Sequence, residues 1–180
     1  MAGELLRESL TQRVKELYSA EQQQARILPA LAAAATTPQL RHALHAHLRE
    51  TTHQARRLER IFSLLDEPIR WTRCPGVLGI LEECQDAIED PADGALRDAA
   101  IIATAQRLDY YEMAAYGAAA AWAESLGLTA VARLLNQCLD EEIATADDLL
   151  AVALTRVHVA AARAERPAAF LPPGRVAADA

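Results

Sequence analysis

Aromatic residues are scarce, 4% of 180 positions, with only two phenylalanines and two tryptophans. Glycine occurs seven times, and no stretch alternates apolar with polar side chains in the period of two that a half-buried strand requires. A β-sheet fold is therefore excluded. Cationic clusters are also lacking. The formal charge is −7 and the pI is near 5.2, whereas binding a phosphate backbone needs grouped Lys and Arg to displace counterions. Nucleic acid is not expected as a partner. Long apolar runs are missing as well: the longest uncharged, alanine-rich stretch, Met113–Ala123, has 11 residues between Glu112 and Glu124. A bilayer span needs roughly 20. Met1 to Leu10 already carries Glu4, Arg7 and Glu8, so it has no apolar core of the signal-peptide kind. The expectation is a cytoplasmic protein without a membrane partner. Cys74, Cys84 and Cys138 are odd in number and lack any CxxC spacing, which fits reduced thiols better than a disulfide framework or a zinc site.

What remains is helix. Hydrophobic residues make up 52% of the chain, and alanine, the strongest helix former, dominates them. Leu6, Leu10, Val14, Leu17, Leu28 and Leu31 recur at helical steps, so a first helix is predicted over about 4–35. Thr37 can cap and Pro38 can open a second helix over about 38–66, whose stripe is Leu40, Leu44, Leu58, Ile61 and Leu65, with His47, Thr51 and Gln54 in its middle. A long connection over 67–94 holds Pro68, Pro75, Gly76, Gly79, Pro91 and Gly94, with a short helical run over about 77–89. A third long helix, about 95–125, ends at Gly127, and a fourth runs from Thr129 to about 163. Short turns within each hairpin and a long crossover between them predict an all-α, ferritin-like antiparallel four-helix bundle over residues 1–163. Residues 164–180, rich in Pro and Ala, read as a tail.

Acids and imidazoles in the middle of apolar helix faces are costly unless paired or metal-bound. Glu21 sits between Leu17 and Leu28, and Glu142 shares a face with Leu135, Cys138 and Leu149. Glu50 and His53 have the Glu-x-x-His spacing that places two ligands on neighbouring turns, and Asp109 and Glu112 are spaced alike. Glu21 precedes Glu50 by 29 residues and Glu112 precedes Glu142 by 30, so each hairpin offers an acid from each helix. That pseudo-symmetry is what a two-metal site in a bundle core requires. The plainer reading of Glu21 and Glu142 is a buried carboxylate paired with Arg or Tyr, and Glu50 and Glu112 lie nearer the edge of their stripes. His53 points partly toward Arg56 and Arg57, and His47 lies closer to the core face, which makes it a rival ligand or a supporting donor. His42 and His45 read as surface residues, and His158 lies too far along its helix. The last helix reads Glu142-Ile143-Ala144-Thr145, without a second Glu-x-x-His.

Several stretches together resemble the YciF-like family of ferritin-like, stress-associated bacterial proteins, over about residues 10–155. They are Glu16-Leu17-Tyr18-Ser19-Ala20-Glu21, His45-Ala46-His47-Leu48 leading to Glu50-Thr51, Arg97-Asp98-Ala99-Ala100-Ile101-Ile102 running to Tyr111-Glu112 and Ala115-Tyr116-Gly117, and Leu139-Asp140-Glu141-Glu142. The resemblance implies a ferritin-like fold, dimerisation and a metal site. The family generally has Glu where this chain has Asp109, and its pattern favours His47. Glu50-x-x-His53 followed by Leu58-Glu59-Arg60-Ile61 instead looks like the second helix of bacterioferritins.

The expected function is a two-metal carboxylate protein, Fe foremost and Mn second, that handles Fe(II), O2 or peroxide. The candidate ligands are Glu21, Glu50, Glu112, Glu142, Asp109 and either His53 or His47, with Tyr18, Tyr110, Tyr111 and Tyr116 as neighbours. The alternative is a non-catalytic structural or partner-binding bundle with a degenerate site. A homodimer is expected through Ala115, Ala118, Ala119 and Trp122, with Val77, Leu78 and Leu81 of the crossover.

Overall fold

The computed structural model describes residues 2–89 and 94–162. The tail expected over 164–180 lies outside the described residues. Element α1 is Ala2–Ala34, α2 Pro38–Leu65, α3 Pro75–Glu89, α4 Gly94–Ser125 and α5 Thr129–Val152, followed by a widened π-helical turn, Ala153–Val157, and a short α6, His158–Ala161. No strand occurs among the described residues. The chain is a ferritin-like helical bundle. The hairpins α1–α2 and α4–α5 have the most extensive pairings, each hairpin packs on the other, and the crossover helix α3 lies against α4 and α1. No helix of the described residues is long and apolar enough to cross a membrane.

The helix ends have local causes. Gly127 takes a left-handed φ of 70°. Its N–H then returns to the Glu124 carbonyl (2.9 Å) and that of Leu128 to Ala123 (2.8 Å), so α4 stops and α5 turns back. The start of α2 differs from the sequence expectation, since Thr37 makes no side-chain cap there. Asp98 of α4 does the work. Its buried carboxylate accepts from the Thr36 N–H (2.7 Å), the Thr36 hydroxyl (2.9 Å) and the Thr37 N–H (2.7 Å), tying the first hairpin to the second.

Two apolar clusters fill the bundle. One joins Leu10, Val14 and Leu17 to Leu58, Phe62, Tyr116 and Leu135. The other joins Leu28 and Leu31 to Leu40, Leu44, Ile101, Ile102 and Leu149, with Val77 and Cys84 of α3. Between them along every long helix lies a buried polar layer of Glu21, Gln24, His47, Thr51, Gln54, Asp109, Glu112 and Glu142. The helix periodicity that put apolar residues inward thus delivers a band of polar ones to one depth.

Part of the face expected to form a dimer is used within the chain. Ala115 and Ala119 are buried in the chain's own core, and Val77 is fully buried on the inner face of α3. Trp122 is half-buried with the Arg13 guanidinium 5.9 Å above its ring. Ala118, Trp122, Leu78 and Leu81 of that face keep partial exposure.

Candidate metal centre

Two groups of three ligand atoms form within the polar layer: His47, Asp109 and Glu142, and Glu21, Glu112 and Glu142, the atoms of each group lying within 4.8 Å of one another. Glu142 belongs to both. Every member is 0–1% exposed. Each of the four long helices contributes, because α1 supplies Glu21, α2 His47, α4 Asp109 and Glu112, and α5 Glu142.

Supporting bonds hold some of these groups and leave others bare. The Tyr116 hydroxyl, itself fully buried, donates to Glu21 Oε1 at 2.5 Å, and Gln54 Nε2 donates to Glu142 Oε1 at 2.5 Å. The Gln24 amide donates to His47 Nε2 at 3.0 Å, and Thr51 Oγ1 donates to Gln24 Oε1 at 3.4 Å. His47 Nε2 also lies 3.5 Å from Asp109 Oδ1. By contrast, Glu21 Oε2, Glu142 Oε2 and both oxygens of Asp109 and of Glu112 have no hydrogen-bond partner. Buried polar atoms nearly always find a partner, so this many bare acceptors at one spot fit a cation.

Burial is the largest influence on each group. It pushes the Glu21, Asp109 and Glu112 carboxyls well above their ordinary range, with neighbouring carboxylates adding to the rise. Glu142 is raised to about 8 from the same first cause. Burial lowers His47 to about 4. Without a cation the layer therefore holds its charge down by keeping protons on the acids and off the imidazole.

The remaining candidates fall outside the two groups. Glu50 is half-buried at the edge of the layer, and its Oε2 accepts from the Thr145 hydroxyl at 2.8 Å. Its charge is nonetheless felt at both Asp109 and Glu142. His53 is exposed and is not brought to the layer. At 100° per residue it lies roughly 150° round α2 from the inward stripe of Leu44, His47, Thr51 and Leu58. Tyr110 is exposed, Tyr18 donates to Glu59 (3.1 Å), and the Tyr111 hydroxyl meets Cys74 Sγ at 2.7 Å, so Tyr116 is the tyrosine that bonds to the layer. Sequence reasoning missed Gln24, whose signal was its place three residues after Glu21 on the same face. It also missed the bidentate Arg57–Glu141 pair (2.5 and 2.6 Å) that bridges α2 and α5 just outside Glu142.

Four antiparallel helices with a long crossover, each giving a carboxylate or imidazole to one buried layer, define a ferritin-like bundle with a carboxylate–histidine centre. The chain belongs to the family described as domain of unknown function DUF892, whose pattern matches residues 5–162. Protein YciF of Escherichia coli (strain K12) is 39% identical over 146 residues, 81% of this chain and 88% of that protein. The crystal structure of the E. coli stress protein YciF matches with a TM-score of 0.82 and 36% identity, over 85% of this chain and 97% of that one. The structure of YcfI from Rhodopseudomonas palustris matches with a TM-score of 0.80 and 36% identity, over 82% and 94% of the two chains.

Proposed function

We propose that the polar layer binds two divalent cations, Fe(II) foremost and Mn(II) second, and that the protein handles Fe(II), O2 or peroxide in a stress response. The observation that carries this reading is the position of Glu142, which belongs to both three-ligand groups while the carboxylates of Asp109 and Glu112 lie bare beside it. His47 and Asp109 would hold one ion and Glu21 and Glu112 the other, with Glu142 between them. Such a pair, when bound, supplies one-electron chemistry toward O2 or peroxide. The protein's own part is to orient and to exclude water. Tyr116 fixes Glu21, Gln54 fixes Glu142, Gln24 and Thr51 fix His47, and the two apolar clusters close the layer above and below.

Metal analysis of protein purified without chelator, followed by thermal melts with added Fe(II) under argon or with Mn(II), tests the reading. A ligand that binds only the native state at a hundredfold excess over its Kd should raise the melting temperature by roughly 5–10 °C. Less than about half an equivalent of metal, with no shift on reconstitution, would sink it.

One observation favours a second reading, a structural bundle with a lapsed site: α5 carries Thr145 where a second Glu-x-x-His would place an imidazole. On that reading the melting temperature is indifferent to Fe(II) and Mn(II).

A further inference from the structure

We infer that cations reach the buried layer along the seam between α2 and α5, with Glu50 as the acid that passes them inward rather than a resident ligand. The inference rests on the metal-binding reading above and adds a route to it. The two ligand groups are sealed at 0–1% exposure, so an ion must come through a helix seam. Bridges between α2 and α5 step along their seam: Glu50 with Thr145, Gln54 with Glu142, and Arg57 with Glu141 and Cys138. The Arg57–Glu141 ion pair blocks one end of that seam.

The other end is open. A surface groove there runs between the helices, bounded by His42, Ala43 and Ala46 of α2 and by Asp148 and Ala151 of α5. Alanines leave it room, while His42 and Asp148 give its mouth polar side chains. One helical turn beyond Ala46 along α2 and beyond Asp148 along α5, toward the layer, stand Glu50 and Thr145, joined by their hydrogen bond just past the groove's own lining. Glu50 is half-buried, so it meets solvent, and its charge reaches Glu142 and Asp109. The other acids of the layer have no such exposure. A single bond from a neutral hydroxyl is weaker than the two-bond ion pair that joins Arg57 and Glu141. Glu50 can therefore leave Thr145 to take a cation from the groove and return to it once the ion lies against Glu142.

Co(II) uptake followed by its visible d–d absorption in a stopped-flow instrument tests this, with circular dichroism confirming the fold of each variant. Glu50→Gln keeps the shape but not the charge, and Ala46→Leu fills the groove at a residue that is not itself a ligand of the layer. Both should slow uptake by about tenfold or more, the size of effect that a charged, focusing cleft has on capture, while the final amount of Co(II) per chain stays at the wild-type value. Uptake at the wild-type rate in either variant overturns the route, and a lower final amount in Glu50→Gln makes Glu50 a resident ligand and overturns it too. If wild-type protein itself takes up no Co(II), the metal-binding reading fails before the route is in question.

Discussion

Burial pushes the acids and the imidazole of the polar layer in opposite directions, and the consequence for stability has a definite sign. Glu142 rises from 4.5 to about 8, and Glu21, Asp109 and Glu112 rise as well. A raised carboxyl contributes stability that is complete below its unfolded value and is lost as pH climbs through its folded value. The metal-free protein should therefore melt at falling temperature as pH rises from about 4.5 through about 8. His47, lowered from 6.5 to about 4, works the other way between those two values, but it is one group against four. Melts of chelator-treated protein across this range check the prediction. Glu142→Gln should flatten the fall, and a melting temperature that rises with pH would contradict the assignment. Tyr116→Phe is a second probe at this scale. It removes the donor to Glu21 Oε1 in a fully buried setting, which should cost about 1–3 kcal/mol in urea unfolding of the metal-free protein.

Among the elements, Asp98 stands out because it binds a turn to which it is not adjacent in the chain. Replacing it by Ala leaves two backbone N–H groups and the Thr36 hydroxyl without their acceptor, and should cost about 2–3 kcal/mol while leaving metal capacity intact. The long helices and the crossover were legible in the sequence because a regular apolar stripe and a few turn residues determine them locally. The inward acids Glu21 and Glu142 were legible for the same reason, as interruptions of a stripe, and Glu112 through its spacing from Asp109. A cap delivered from another hairpin leaves no local trace, so Asp98 was not. The pseudo-symmetry of Glu50 and Glu142 misled in a different way. Equal spacing gives the two acids a common height, but a count at 100° per residue sets Glu50 about 90° from the stripe of Leu44, His47, Thr51 and Leu58, and the structure places Glu142 at the centre and Glu50 at the rim. The choice between His47 and His53 was open to a count of helical angle, because only His47 shares the stripe of Leu44, Thr51 and Leu58.

For the whole molecule, a cation shared by α1, α2, α4 and α5 links elements far apart in sequence. Metal should slow amide hydrogen exchange in the middle turns of all four helices together, with little change in α3, which gives no residue to either ligand group. Slowing that spared α1, or that spared α2, would mean that only one of the two groups loads, since each group draws on both hairpins. The polar layer also governs how the helices slide past one another before any ion arrives. Packed leucines tolerate many alignments, and sliding a helix by one turn, about 5.4 Å, would bring one leucine where another had been. The same slip would press Glu142 or Asp109 against the leucines of the neighbouring cluster, stranding a carboxyl with no partner. The layer is thus an alignment mark: it sets the vertical register of the bundle, and a chain whose acids were all exchanged for leucine should gain stability while losing the single height at which its helices agree.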